Sequence, residues 1–235
     1  MTERLPVGPP VVASSPCGLP GGRSLEGRTV RLDRPDAARD VGPLFDATHG
    51  ADADPGQWTY MAYGPFESPE AMRAVMARLV EGSQDPQWWL VRELASDAPV
   101  GMAAFMNLVP AHRRLELGHI WYIPAAQRTA VNTETVYLML RESFDRLGYR
   151  RVEWKCDALN ARSMKAAVRL GFGFEGTFRQ HCIVKGRNRD TAWFAMLDTD
   201  WPKIRENFEA VLYDPACRES LTALNAPYVA VPPGG

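Results

Sequence analysis

Apolar positions recur along this chain with two periods, one near 3.6 residues and one of 2, and the two alternate in blocks. Thr29-Val30-Arg31-Leu32 alternates, which predicts a strand starting near Arg28. Asp36 can cap a helix carrying Val41, Leu44 and Phe45, and Gly42-Pro43 is expected to break or restart it. Residues 50–67 mix Gly, Pro, Asp and aromatics and read as a loop. Ser68 is a good N-cap, Pro69 suits the first helical position, and Met72, Val75, Met76, Leu79 and Val80 then recur at helical spacing up to Gly82. Strands are predicted at 88–94, 100–108 and 115–123, with Ser96-Asp97-Ala98-Pro99 turning between the first two.

A second well-marked helix is predicted at 133–147, its buried stripe formed by Val136, Leu140, Phe144 and Leu147 and its end by Gly148. Residues 151–156 alternate as a strand. Asn160 then caps a helix bearing Met164, Ala167, Val168 and Leu170, which stops at Gly171. Strands at 176–184 and 192–197, joined by 185–190, and a helix at 202–212 complete the pattern. A strand, a crossover helix and a strand over 115–156 imply one parallel pair in an otherwise antiparallel sheet. Such a pair should splay where it opens and leave a cleft. The expected fold is α/β (α+β): a mixed, mostly antiparallel sheet of about seven strands flanked by helices. Residues 1–26, rich in Pro, Gly and Ser, read as a flexible tail, 27–213 as the domain, and 214–235 as a second tail.

Composition narrows the function. The chain has 235 residues, 46% of them hydrophobic and 23% charged, enough for one domain with a sizeable core. A formal net charge of −1 offers no basic face for nucleic acid. The four cysteines, Cys17, Cys156, Cys182 and Cys217, are far apart and carry no zinc-ligand spacing, so no metal is expected. Reduced thiols point to a cytoplasmic protein. No 18-residue apolar run spans a membrane, and residues 1–22 lack the apolar stretch of a signal peptide.

The segment Gln127-Arg128-Thr129-Ala130-Val131-Asn132-Thr133-Glu134 lies between a strand end and a helix start. The N–H groups and partial positive charge of a helix N-terminus can hold a pyrophosphate there, although any strand-to-helix turn has such donors. Four local patterns in order then carry a family likeness. This segment resembles the Gln/Arg-x-x-Gly-x-Gly/Ala turn of GNAT acetyltransferases, with Thr133-Glu134 like the Thr-Glu of RimJ/RimL-type members. Leu117-Gly118-His119-Ile120-Trp121-Tyr122-Ile123-Pro124 resembles their Gly-Tyr-Trp-Ile strand. Asn160-Ala-Arg-Ser163 with Gly171-Phe172 resembles their Asn-x-x-Ser helix, and 174–179 with Gly186-x-x-Arg189-Asp190 resembles the hairpin that follows. The likeness covers roughly 27–200 and departs at both glycine positions of the turn, filled here by Ala130 and Asn132.

The resemblance implies an acyl-CoA-dependent N-acyltransferase with acetyl-CoA as donor and a primary amine as acceptor, joined by direct attack in a ternary complex. It implies donor contacts from Trp121, Tyr122, Ile123, residues 127–134, Asn160 and Ser163. The chemistry needs a base for the amine, a donor for the oxyanion and a donor for the leaving thiolate. Glu116 and then His119 are the candidates for the base; three apart, they fall on opposite faces of a regular strand unless a bulge intervenes. In the RimL-type pattern that the chain resembles, Ser163 sits near the thioester sulfur, which makes it the candidate for the thiolate's hydrogen-bond donor; no tyrosine, the residue many family members use there, lies between Cys156 and Gly173. Trp58, Tyr60, Tyr63 and Phe66 can wall the acceptor site. A non-catalytic acyl-CoA-binding domain and an interaction module remain alternatives. A homodimer through the late strands, covered by Trp201 and Phe208, is also expected from the resemblance.

Overall fold

A computed structural model describes residues 5–11 and 17–233; the outermost parts of the expected tails, 1–4, 12–16 and 234–235, lie outside the described residues. The chain forms β1 (Leu25–Glu26), β2 (Val30–Asp33), α1 (Ala37–His49), α2 (Pro69–Val80), β3 (Gln87–Glu93), β4 (Pro99–Val109) and β5 (Arg114–Tyr122). It continues through α3 (Ala130–Arg141), β6 (Arg151–Asp157), α4 (Ala161–Arg169), β7 (Gly173–Val184), β8 (Arg187–Leu197), α5 (Trp201–Tyr213) and α6 (Leu221–Asn225). Eight strands form one sheet in the order β1-β2-β3-β4-β5-β6-β8-β7, antiparallel except for the β5–β6 pair. The eighth strand is β1, which is two residues long and too short to show alternation.

Alternation sorts side chains onto two cores. Leu115, Leu117, Val152, Trp154 and Phe194 face α3, α4 and α5, whereas Leu90, Met102, Ala104 and Trp121 face α1 and α2 with Met72 and Met76. The consecutive Trp88 and Trp89 divide between these two cores, and both are buried. Each fully buried Leu or Met contributes roughly 1.5–3 kcal/mol.

Helix α1 runs through Pro43 instead of breaking there. Pro43 and Arg39 are both on the exposed side, so the carbonyl left without a donor faces water. Helix α3 begins three residues before the expected start, because Thr129 rather than a later residue caps it. It passes into a π turn at Glu142–Arg146. Residues 17–26 and 221–230, assigned to tails by their composition, pack on the domain. Cys17 is buried and donates to Gly148 O at 3.2 Å, Leu25 and Leu221 join the larger core, and Phe174 N donates to Ala230 O at 2.9 Å. Among the described residues no helix is long and apolar enough to cross a membrane, and no cluster of His, Cys, Asp or Glu is arranged to hold a metal.

Candidate functional site

The parallel pair runs from Arg114 opposite Arg151 to Leu117 opposite Trp154 and then stops, although both strands continue. That is the splay the crossover pattern predicts. Across β5 from it, pairing with β4 steps from Ala104–Gly118 to Met102–Trp121, so His119 and Ile120 share one partner position. His119 takes up the extra residue with a left-handed backbone, φ 52°. The bulge keeps Glu116 and His119 on the same face. Glu116 alternates with Leu115 and Leu117, and the His119 ring packs against both Tyr63 (5.7 Å) and Trp88 (4.4 Å) on the α1/α2 side.

Glu116 is 5% exposed. Its Oε2 accepts from Asn107 Nδ2 at 2.6 Å and pairs with Lys155 Nζ at 2.8 Å. Both partners take Oε2; Oε1 faces Gly118, where an added Cβ would lie 3.7 Å from it. Lys155 Nζ also lies 2.9 Å from Glu153 Oε2 and 3.9 Å from the Trp193 ring centroid. Burial would raise the Glu153 carboxyl, but Arg151 and Lys155 outweigh it and hold the group below its usual range. The sequence reading missed Lys155. The signal lay in the strand pairing, which sets Glu116 opposite Glu153 with Lys155 two residues further along the same face. Burial among aromatic rings pulls the pKa of His119 down to about 4, so its imidazole is neutral at pH 7.

The opposite face of the gap is built by α4. Asn160 Oδ1 caps the helix by accepting from Ser163 N at 3.1 Å, and Trp154 Nε1 donates to Ser163 Oγ at 3.0 Å. Having accepted from the indole, Ser163 keeps its own proton to give away. Burial pushes the neighbouring Cys156 thiol up, and the Ser163 hydroxyl opposes that in part. Trp154 belongs to the α3/α4 core, so Ser163 and Glu116 approach the gap from opposite faces.

The turn before α3 is exposed at Arg128, Thr129 and Ala130. Arg128 is left-handed, with φ 61°. Thr129 Oγ1 accepts from Val131 N at 3.2 Å and donates to Ala126 O at 2.7 Å, and Gln127 braces the turn by donating to Tyr122 O at 3.1 Å. Ala130 and Asn132 are the first and third residues of the helix, so neither needs the backbone freedom of glycine. Asn132 Oδ1 is buried without a partner. Trp121, Tyr122 and Val131 are buried in the cores, and Ile123 packs against both.

Glu134 is redirected. Its carboxylate accepts from Arg28 N and Thr29 N at 2.7 Å, from Val30 N at 3.1 Å, from Tyr213 OH at 2.9 Å and from the Thr29 hydroxyl. Five donors leave it no lone pair for a ligand; it anchors β2 to α3. Gly27 serves this contact, since a Cβ there would fall 2.5 Å from the carboxylate.

The segment between α1 and α2 closes over the Glu116 face. Trp58 is 2% exposed and packs on Trp121 at 5.2 Å and on Tyr63 at 6.0 Å. Three side chains fasten it: Tyr60 OH donates to Leu159 O at 3.0 Å, Arg162 pairs with Asp54 at 2.8 Å, and Lys185 Nζ donates to Trp58 O and Gly64 O at 2.8 and 2.6 Å. The indole N–H groups of Trp58, Trp88 and Trp121 are buried with no hydrogen-bond partner.

Comparison with known proteins agrees with this geometry. Residues 30–173 match the acetyltransferase (GNAT) domain. A crystal structure of a GCN5-related N-acetyltransferase from Brucella melitensis superposes with a TM-score of 0.85 at 36% identity, over 92% of this chain and all of that one. YdaF of Bacillus subtilis (strain 168), named as a candidate ribosomal N-acetyltransferase, is 22% identical over 62% of this chain and 79% of its own length. A candidate ribosomal-protein-serine acetyltransferase from Vibrio cholerae shares the fold, with a TM-score of 0.63 at 20% identity over 75% of this chain and 98% of its own. With its splayed parallel pair, its bulged fifth strand and a family match over more than half its length, the chain belongs to the GNAT acetyltransferases.

Proposed function

We propose that this protein transfers an acetyl group from acetyl-CoA to a primary amine, on a protein N-terminus or a small molecule, by direct attack in a ternary complex. The observation that carries the reading is the gap between β5 and β6, with Ser163 on one face and Glu116 and His119 on the other. Acetyl-CoA supplies the activated acetyl group. The exposed turn 128–130 and the leading N–H groups of α3 suit its pyrophosphate. Asn160 holds the start of α4 so that Ser163 can donate to the departing sulfur. Glu116 Oε1 takes the amine proton, and neutral His119 is the second acceptor on that face. Trp58, Tyr63 and Trp88 wall the acceptor side.

The test is calorimetric titration with acetyl-CoA beside an Asn132→Glu variant, followed by a screen of amine acceptors for CoA release. Binding by the wild type, lost in the variant, with turnover on an amine supports the reading. Binding without turnover on any amine makes the protein an acyl-CoA-binding domain, and no binding at millimolar acetyl-CoA overturns the donor site.

A further inference from the structure

Arg169 stands in the last turn of α4 and reaches across to α3, where its Nη1 donates to Thr133 Oγ1 at 2.8 Å. Among the described residues no carboxylate lies within 4.0 Å of its guanidinium. Burial pulls its pKa below the usual guanidinium value, with Tyr122 opposing in part, so the charge sits where an anion would relieve it. The buried Tyr122 hydroxyl lies near it with the Thr135 hydroxyl beside that, and the Arg169 carbonyl accepts from Asn225 Nδ2 at 2.9 Å. Asn225 is itself fully buried and held by Asn207 Nδ2 at 2.9 Å, so α6 fixes the point from which the arginine extends.

We propose that Arg169 is the side-chain cation that binds the diphosphate of acetyl-CoA at the first turn of α3; this rests on the acetyltransferase reading above. Glycine at 130 and 132 would let phosphate oxygens come close to the backbone, and side chains now occupy both places. A guanidinium offers a planar pair of donors to phosphate oxygens without needing that close approach. Thr133 then holds the arginine in its waiting position, and the guanidinium exchanges the hydroxyl oxygen for a phosphate oxygen as its acceptor.

The experiment uses the full chain, with Arg169→Gln, Arg169→Lys and Thr133→Val variants, titrated with acetyl-CoA, with acetyl-dephospho-CoA and with S-acetylpantetheine at two salt concentrations. Arg169→Gln is expected to weaken both nucleotide thioesters by about 10- to 100-fold, to flatten their salt dependence and to leave S-acetylpantetheine unchanged. Arg169→Lys should recover part of the loss, and Thr133→Val should cost less than threefold. Unchanged acetyl-CoA affinity in Arg169→Gln, with or without a lower melting temperature, overturns the proposal while leaving the acetyltransferase reading intact. So does a loss seen with acetyl-CoA but not with acetyl-dephospho-CoA, which would move the contact to the 3′-phosphate. A wild type that binds none of the three overturns the reading and the proposal together.

Discussion

Glu116 and His119 lie on one face of the sheet although three positions separate them, because the bulge at 119–120 adds a residue to β5. The alternating pattern alone would have put them on opposite faces. Both therefore meet the α1/α2 side of the gap, and they differ in kind: Glu116 is tied to Lys155 and Asn107, and His119 is packed against the Tyr63 and Trp88 rings.

Glu116→Gln should lower kcat/KM for the amine by about 10²–10⁴-fold, the usual worth of a positioned base, while the Kd for acetyl-CoA stays within twofold. Thiol release and calorimetry on the same preparation separate the two. Equal turnover in the variant would remove Glu116 from the reaction.

Lys155 lies between Glu116 and Glu153, which face each other across the parallel ladder. Lys155→Met should leave the buried Glu116 carboxylate without its cation, while Glu153 keeps Arg151, and should cost about 3–5 kcal/mol in denaturant unfolding. Adding Glu153→Gln should restore part of the loss, since it removes one of the two like charges.

The depressed pKa of His119 links stability to pH. The unfolded chain takes up a proton near pH 6.5, whereas the folded chain resists it down to about 4. Unfolded molecules thus bind more protons in that window, and stability should fall as pH drops from 6.5 to 4. His119→Asn, chosen because Asn tolerates a left-handed backbone, should flatten that part of the curve in melting scans.

Glu134→Gln should destabilise the fold by about 2–3 kcal/mol, because an amide nitrogen cannot accept from the donors that converge on the carboxylate. The acetyl-CoA affinity of the folded fraction should not change. A large affinity loss at unchanged stability would return Glu134 to the donor site.

Lys185→Ala should loosen the segment over the acceptor face by removing its bonds to Trp58 O and Gly64 O. The expected outcome is a rise in KM for the amine of about three- to tenfold at constant acetyl-CoA affinity, with faster proteolysis between 52 and 64.

Much of the architecture was legible in the sequence because long amphipathic blocks dominate it. Caps at Asp36, Ser68 and Asn160 act where they stand, and the crossover rule alone implied the parallel pair. What escaped depends on contacts distant in sequence. Leu25–Glu26 becomes a strand only by pairing with β2, and Pro227 with the Pro-Pro-Gly-Gly end makes 214–235 read as a tail, which hides Leu221 and Asn225, buried against the domain. Glu134 reads in the sequence as the end of the proposed donor turn, yet its carboxylate turns inward to β2. Lys155 and Arg169 carry no local signal. Each takes its place from the element it meets, the first from strand register and the second from the approach of α4 to α3.

Because Ala130 and Asn132 are ordinary helical residues, glycine in that stretch would serve clearance and not chain geometry. A search pattern that insists on glycine there selects for one way of seating a phosphate and is blind to the turn itself. Chains that build the same helix start with other small or polar residues pass through such a filter unseen.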